Sequence, residues 1–307
     1  MRELNKKDKK LLDQLIEEMR YPTLEILLDY YKDRQSAYEE LDHYPGNNRK
    51  WAPLCEAGAG VLPLLDNRAI DAILDFGIVE AYHSGNMQVL HDALYTYTRL
   101  HFPRDRYLAK KSDGSIDVMN EYVLCREIIE AFAACDTAIV KKYCPENSPV
   151  LTKGYKMWVV GYNLILGFLY HDEKRVETGV RQAEKALTTK IPQFDAAVIS
   201  YLLALAKHDV AEANRQFAMM LSVYRKSGLF NFHDDFLKVF AMIPHGLYNI
   251  ANLYLTKEDF LAISPPEDTA FWNGLAEYQK QAGFSCGEPY IVFTDELQSL
   301  NVLYDSL

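Results

Sequence analysis

Four of the eight histidines are followed directly by aspartate, at His91-Asp92, His171-Asp172, His208-Asp209 and His233-Asp234. An imidazole beside a carboxylate can hold a divalent ion, and the ion can acidify a bound water for hydrolysis. The residues that follow the pairs are "ALY", "EKR", "VAE" and "DFL". None of the four contains a glycine.

The likeness to the HD-type metal phosphohydrolases is therefore confined to a dipeptide. Capping explains it better. Asp172 and Asp209 stand where an amphipathic helix begins, and an aspartate there accepts a backbone N–H that has no partner within the helix. Glu173 and Glu212 add negative charge to the same first turns, which the helix dipole favours. His171 and His208 then close the preceding helices, beside free carbonyls. His91-Asp92 falls within a helix, and His233-Asp234-Asp235 opens one.

Other patterns carry less chemistry. "EAGAGVLP" (56–63) holds a G-x-G, but no strand precedes it and no G-K-[ST] follows, so it reads as helix packing. There is no G-x-S-x-G and no H-E-x-x-H. "FPRDRYLAKK" (102–111) reads as a solvated basic loop. The cysteines at 55, 125, 135, 144 and 286 are odd in number and form no C-x-x-C. They read as free, mostly buried thiols of a reducing compartment. We expect no catalytic residue, no metal and no cofactor.

The formal charge is −10, with −4 over residues 51–100 and −6 over 201–307. Such a chain repels phosphate backbones, so nucleic-acid binding is not expected. It attracts basic partners instead. Asp71 and Asp75 lie one helical turn apart with Glu80 further along, and they offer an anionic strip if their helix is at a rim. With Asp234 and Asp235 they are the expected partner-binding residues. Tyr95, Tyr97, Trp158 and Trp272 read first as core and second as interface anchors. The first residues are too charged for a secretory signal, and no run reaches the length of a membrane span. The expected location is the cytoplasm.

These residues are positioned by helices. Apolar residues recur at three- and four-residue spacing over 9–19, 22–41, 66–85 and 86–102. The pattern continues over 118–144 (one helix, or two joined near Asp136), 154–170, 172–187, 194–208, 209–226, 233–255 and about 267–282. Residues 43–50 read as a loop and 51–65 as helix, with Gly58 and Gly60 permitting close contact. Pro244 should kink or interrupt the helix at 233–255. The step at His171-Asp172 returns 37 residues later at His208-Asp209, and Asp136 and Ser84-Gly85-Asn86 occupy comparable junctions. That spacing is within the range of antiparallel helix-pair repeats. The expected fold is all-α, an irregular array of antiparallel helix hairpins of tetratricopeptide or HEAT-like character. The stretch "EPYIVFTDELQSL" reads as a short extended tail and then a turn of helix from about Thr294. We expect one domain over 1–307: N-terminal helices (1–50) as a possible subdomain, the array (51–283) and the tail (284–307).

Three stretches carry a family resemblance: "SYLLALAKHDVAEANRQFAMML" (200–221), "FHDDFLKVFAMIPHGLYNIANLY" (232–254) and "PYIVFTDEL" (289–297). In order and character they resemble the immunity protein 49 family of bacterial polymorphic toxin systems, loosely over residues 60–300. The resemblance implies an all-α helical-hairpin protein encoded beside a toxin, which it neutralises by binding. The expected function is thus a cytoplasmic immunity protein that occludes the active site of a basic toxin acting in the cytosol. The alternatives are a helical-repeat adaptor for a peptide or protein and, third, an HD-type metal phosphohydrolase.

Overall fold

The segment ending at Tyr170 is apolar on every side, and such a helix is stable only when covered all round. It holds that place in the computed structural model, which describes residues 6–19, 67–109, 121–227, 235–267 and 269–290. Every residue from Met157 to Leu169 is buried.

Among the described residues the regular structure is helical throughout. The α-helices are α1 (Lys6–Met19), α2 (Asn67–Ser84), α3 (Met87–Ala109), α4 (Glu121–Ala133), α5 (Thr137–Tyr143) and α6 (Lys156–Tyr170). They continue with α7 (Glu173–Leu187), α8 (Gln193–Ala206), α9 (Val210–Val223), α10 (Met242–Tyr254), α11 (Lys257–Leu261) and α12 (Asn273–Gln281). Two 3₁₀ turns, Tyr224–Lys226 and Asp235–Lys238, lie between α9 and α10. The expected helix at 22–41, the loop at 43–50, the segment 51–65 with Cys55, and the turn from Thr294 lie outside the described residues.

The helices pack as successive hairpins, α2 on α3, α6 on α7 and α8 on α9, and α8 also lies against α6 and α7. Sequence spacing explains which faces meet. The buried residues of α7 are Arg175, Gly179, Ala183 and Ala186, a narrow stripe of mostly small side chains. At Gly179 a Cβ would stand 2.7 Å from the Leu164 side chain, so the missing side chain lets α7 settle onto α6. The stripe of α9 is Ala213, Phe217, Met220 and Leu221, where Phe217 reaches Tyr201 and Phe271.

The row does not simply continue. α10 turns back onto α4 and α6, and α12 packs on α3. α10 is buried at every position from Met242 to Ala251. It comes so close to α4 that a Cβ on Gly246 would stand 1.9 Å from the carbonyl oxygen of Ile129. α1 joins the same body through Leu12 and Leu15. Its Asp8 pairs with Arg225, whose Nε donates to the Lys238 carbonyl at 2.8 Å.

Two expectations need correction. The helix expected to end at 102 continues through Pro103 to Ala109, so residues 102–109 are not a loop. Proline removes one backbone hydrogen bond, and a helix anchored upstream by the buried Leu100 and Phe102 survives that loss. The helix expected over 233–255 is instead a 3₁₀ turn and the separate α10. The break falls before Pro244, which occupies the first turn of α10, where a missing N–H costs nothing.

Candidate functional site

Two of the four His-Asp pairs, His171-Asp172 and His208-Asp209, are helix junctions. His171 takes a left-handed conformation (φ 53°) at the end of α6, and Asp172 accepts from the Arg175 N–H at 3.1 Å to open α7. The Asp172 N–H returns to the Gly167 carbonyl at 2.9 Å, closing a Schellman turn. His208 (φ 54°) and Asp209 repeat every part between α8 and α9, with Asp209 N–H on Ala204 O at 2.9 Å and Asp209 capping Glu212 N at 2.9 Å. Cys135 (φ 58°) and Asp136 repeat them between α4 and α5. At the α2–α3 junction Gly85 (φ 72°) precedes Asn86, whose side chain accepts from the Gln88 N–H at 3.1 Å. At the three aspartate turns one residue closes the first helix with its backbone N–H and caps the next with its carboxylate.

His91-Asp92 differs, because it lies inside α3 and faces the C-terminal segment. A buried relay runs from it. Gln279 Nε2 donates to His91 Nδ1 (3.1 Å) and to Ala133 O (2.8 Å), while Gln279 Oε1 accepts from Asn249 Nδ2 (3.0 Å). Asn249 Nδ2 also donates to Phe132 O at 2.8 Å. With Nδ1 accepting, the ring proton is on Nε2, which donates to Ser285 O at 3.0 Å. Burial lowers the pKa of His91, against the pull of Asp92. Burial raises that of Asp92, whose Oδ1 accepts from Glu288 N at 2.9 Å. The relay satisfies carbonyls at the buried C-terminal end of α4, which no helical N–H can reach.

A second polar cluster lies where α3 meets α4. Glu127 and Glu130 project from α4 and His101 from α3, with donor atoms all within 4.8 Å of one another. They are 2%, 1% and 6% exposed. Among the described residues this is the group whose types and spacing could hold a metal ion. His101 Nδ1 stands 3.2 Å from Glu130 Oε2, and Arg126 Nε 2.6 Å from Glu130 Oε1. Burial would raise the pKa of Glu130, but the Arg126 charge and His101 outweigh it and hold the carboxyl below its usual range. Tyr97 stacks on the His101 ring at 4.8 Å.

The expected anionic strip does not form an open face. Asp75 is 7% exposed, and Asp71 and Glu80 are half-buried. The helix carrying them is covered on most sides, so two carboxylates one turn apart did not mean a solvated edge. Asp235 opens a 3₁₀ turn, and His233 and Asp234 lie outside the described residues. Tyr97, Trp158 and Trp272 are core and Tyr95 is half-buried. Cys125, Cys135 and Cys144 are buried and Cys286 is exposed, and none of these four is in a disulfide. No helix among the described residues is long and apolar enough to cross a membrane.

The sequence reading missed His101, Glu127 and Glu130. A signal was present: Glu127 and Glu130 interrupt the apolar run "VLCREIIEAFAAC" at a three-residue spacing. His101 lies within the helix expected over 86–102, and nothing local ties it to residues 26 and 29 positions further on. No family model, curated protein or solved structure matches this chain.

Proposed function

We propose that this chain is an immunity protein that binds a cognate bacterial toxin in the cytoplasm and covers its active site. The observation that carries the reading is the C-terminal half. It carries −6 of the net charge over residues 201–307, and it contains the hairpin α8/α9 and then α10, in the order on which the resemblance to the immunity protein 49 family rests. Met219 and Leu261, 49% and 52% exposed, supply apolar side chains on that half. Exposed apolar side chains on a region of net negative charge suit a basic partner, with charge raising the rate of encounter and buried apolar area slowing release.

The junction geometry supports a binding role in a second way. Asp172 and Asp209 each hold a helix start, a role that leaves their side chains little scope for hydrolytic chemistry. The surfaces of the hairpins are then what the protein presents to others.

Coexpression with the toxin encoded beside it is the direct experiment. The expected result is survival of the host and a stable complex whose association slows as salt rises. Absence of both a complex and protection removes the proposal. Recovery of several unrelated partners in place of one would favour a helical-repeat adaptor.

A further inference from the structure

We propose that His101, Glu127 and Glu130 form a binding site for one divalent first-row transition-metal ion, with Zn²⁺ or Mn²⁺ as its chemical class. The inference rests on the α3–α4 contact alone and stands or falls independently of the toxin reading.

The donor set is mixed, one imidazole and two carboxylates, and it comes from two helices that the fold brings face to face. That combination suits borderline ions over soft thiolate-loving ones and over calcium. Spacing supports it further. Two ligands bonded to one ion at about 2.1 Å stand roughly 3.0–3.4 Å apart when their bonds meet at ordinary coordination angles. His101 Nδ1 and Glu130 Oε2 are 3.2 Å apart, and a Glu127 oxygen lies within 4.8 Å of a ligand atom of each of the two residues.

The surroundings are those of a supported ligand set. Arg126 holds the other oxygen of Glu130 at 2.6 Å and so orients that carboxylate toward His101. The Tyr97 ring fixes the plane of His101 by stacking. Three protein ligands would leave the ion a further coordination position, which burial of all three residues restricts to a water. The rival account is a purely structural polar network, in which Arg126 and His101 pair with Glu130 and hold the cluster together. That network needs no ion, so metal binding itself separates the two.

The test uses the full chain with Cys286→Ser, which removes the exposed thiol as a competing ligand. Chelator-treated protein is titrated calorimetrically with Zn²⁺ and Mn²⁺, and with Co²⁺ while its visible absorption is followed. The expected result is one equivalent bound and a raised melting temperature. Affinity should fall by roughly tenfold or more in Glu127→Gln and in His101→Phe, the latter keeping the ring stack. Because Glu127→Gln preserves volume, it keeps the test open if His101→Phe does not fold. No binding by the parent protein overturns the proposal. So does equal affinity in a folded variant, because the ion would then sit elsewhere.

Discussion

The outer hairpins α6–α9 and the inner seam formed by α3, α4, α10 and α12 use polar residues for opposite purposes. In the hairpins, Asp172 and Asp209 solve a problem of chain direction: each pairs with backbone N–H groups three residues away, and little beyond the turn depends on it. In the seam, Gln279, Asn249 and His91 solve a problem of burial, joining residues as far as 188 positions apart. Short-range polar contacts recur as a visible pattern. Long-range ones occur once each and leave none.

Substitutions can break this contrast. The largest effect is expected at Gly246, where any side chain meets the Ile129 carbonyl of α4. Gly246→Ala should cost about 3 kcal/mol or more in urea unfolding, because neither backbone can yield without moving its helix.

Acid should strike the seam next. His245 is fully buried between Phe240 and Phe271, its Nε2 accepts from the Trp272 N–H at 3.0 Å, and burial alone pushes its pKa down to about 3. The unfolded chain takes up this proton near pH 6.5, well before the folded one does. The contribution is therefore whole above pH 6.5 and declines as pH falls toward 3, by about 3 kcal/mol between pH 6.5 and 4. His245→Phe should be less stable than the parent at pH 7, having lost the acceptor. Its urea midpoint should change less between pH 6.5 and 4; an unchanged slope would exclude His245 as the cause.

Gln279→Leu removes donors from Ala133 O and His91 Nδ1 and an acceptor from Asn249. A loss of roughly 2 kcal/mol is expected, with faster amide exchange at the end of α4. In the hairpins, Asp172→Ala and Asp209→Ala should cost about 1 kcal/mol each, and the double variant about the sum, because the two caps share no partner. Smallest, and of opposite sign, is His171→Gly. A non-glycine residue at φ 53° carries a steric cost that glycine lacks, so about 0.5–1 kcal/mol of added stability is expected. If the caps couple strongly or Gln279→Leu is neutral, the contrast between the two regions fails.

Much of the hairpin region was legible in advance. The boundaries at Asp136, Asp172 and Asp209 follow from a capping residue placed at the seam between an apolar and an amphipathic run. The extent of α3 was not legible, since Pro103 is a local signal overruled by packing upstream. Asp75 was misjudged for the same reason. Its spacing from Asp71 says that they share a face, and only the neighbouring helices decide whether that face meets water. The cluster of His101, Glu127 and Glu130 stayed hidden because its members are 26 and 29 residues apart, on helices whose contact no periodicity reports.

By itself, then, the chain determines helices, their caps and the recurring turn, because these depend on backbone groups within about five residues of each other. Tertiary structure alone decides that α10 folds back onto α4 rather than extending the row. That choice depends on one glycine fitting against a carbonyl oxygen and on buried amides finding partners far along the chain. The same distant packing decides which acidic residues are surface and which become a buried ligand set.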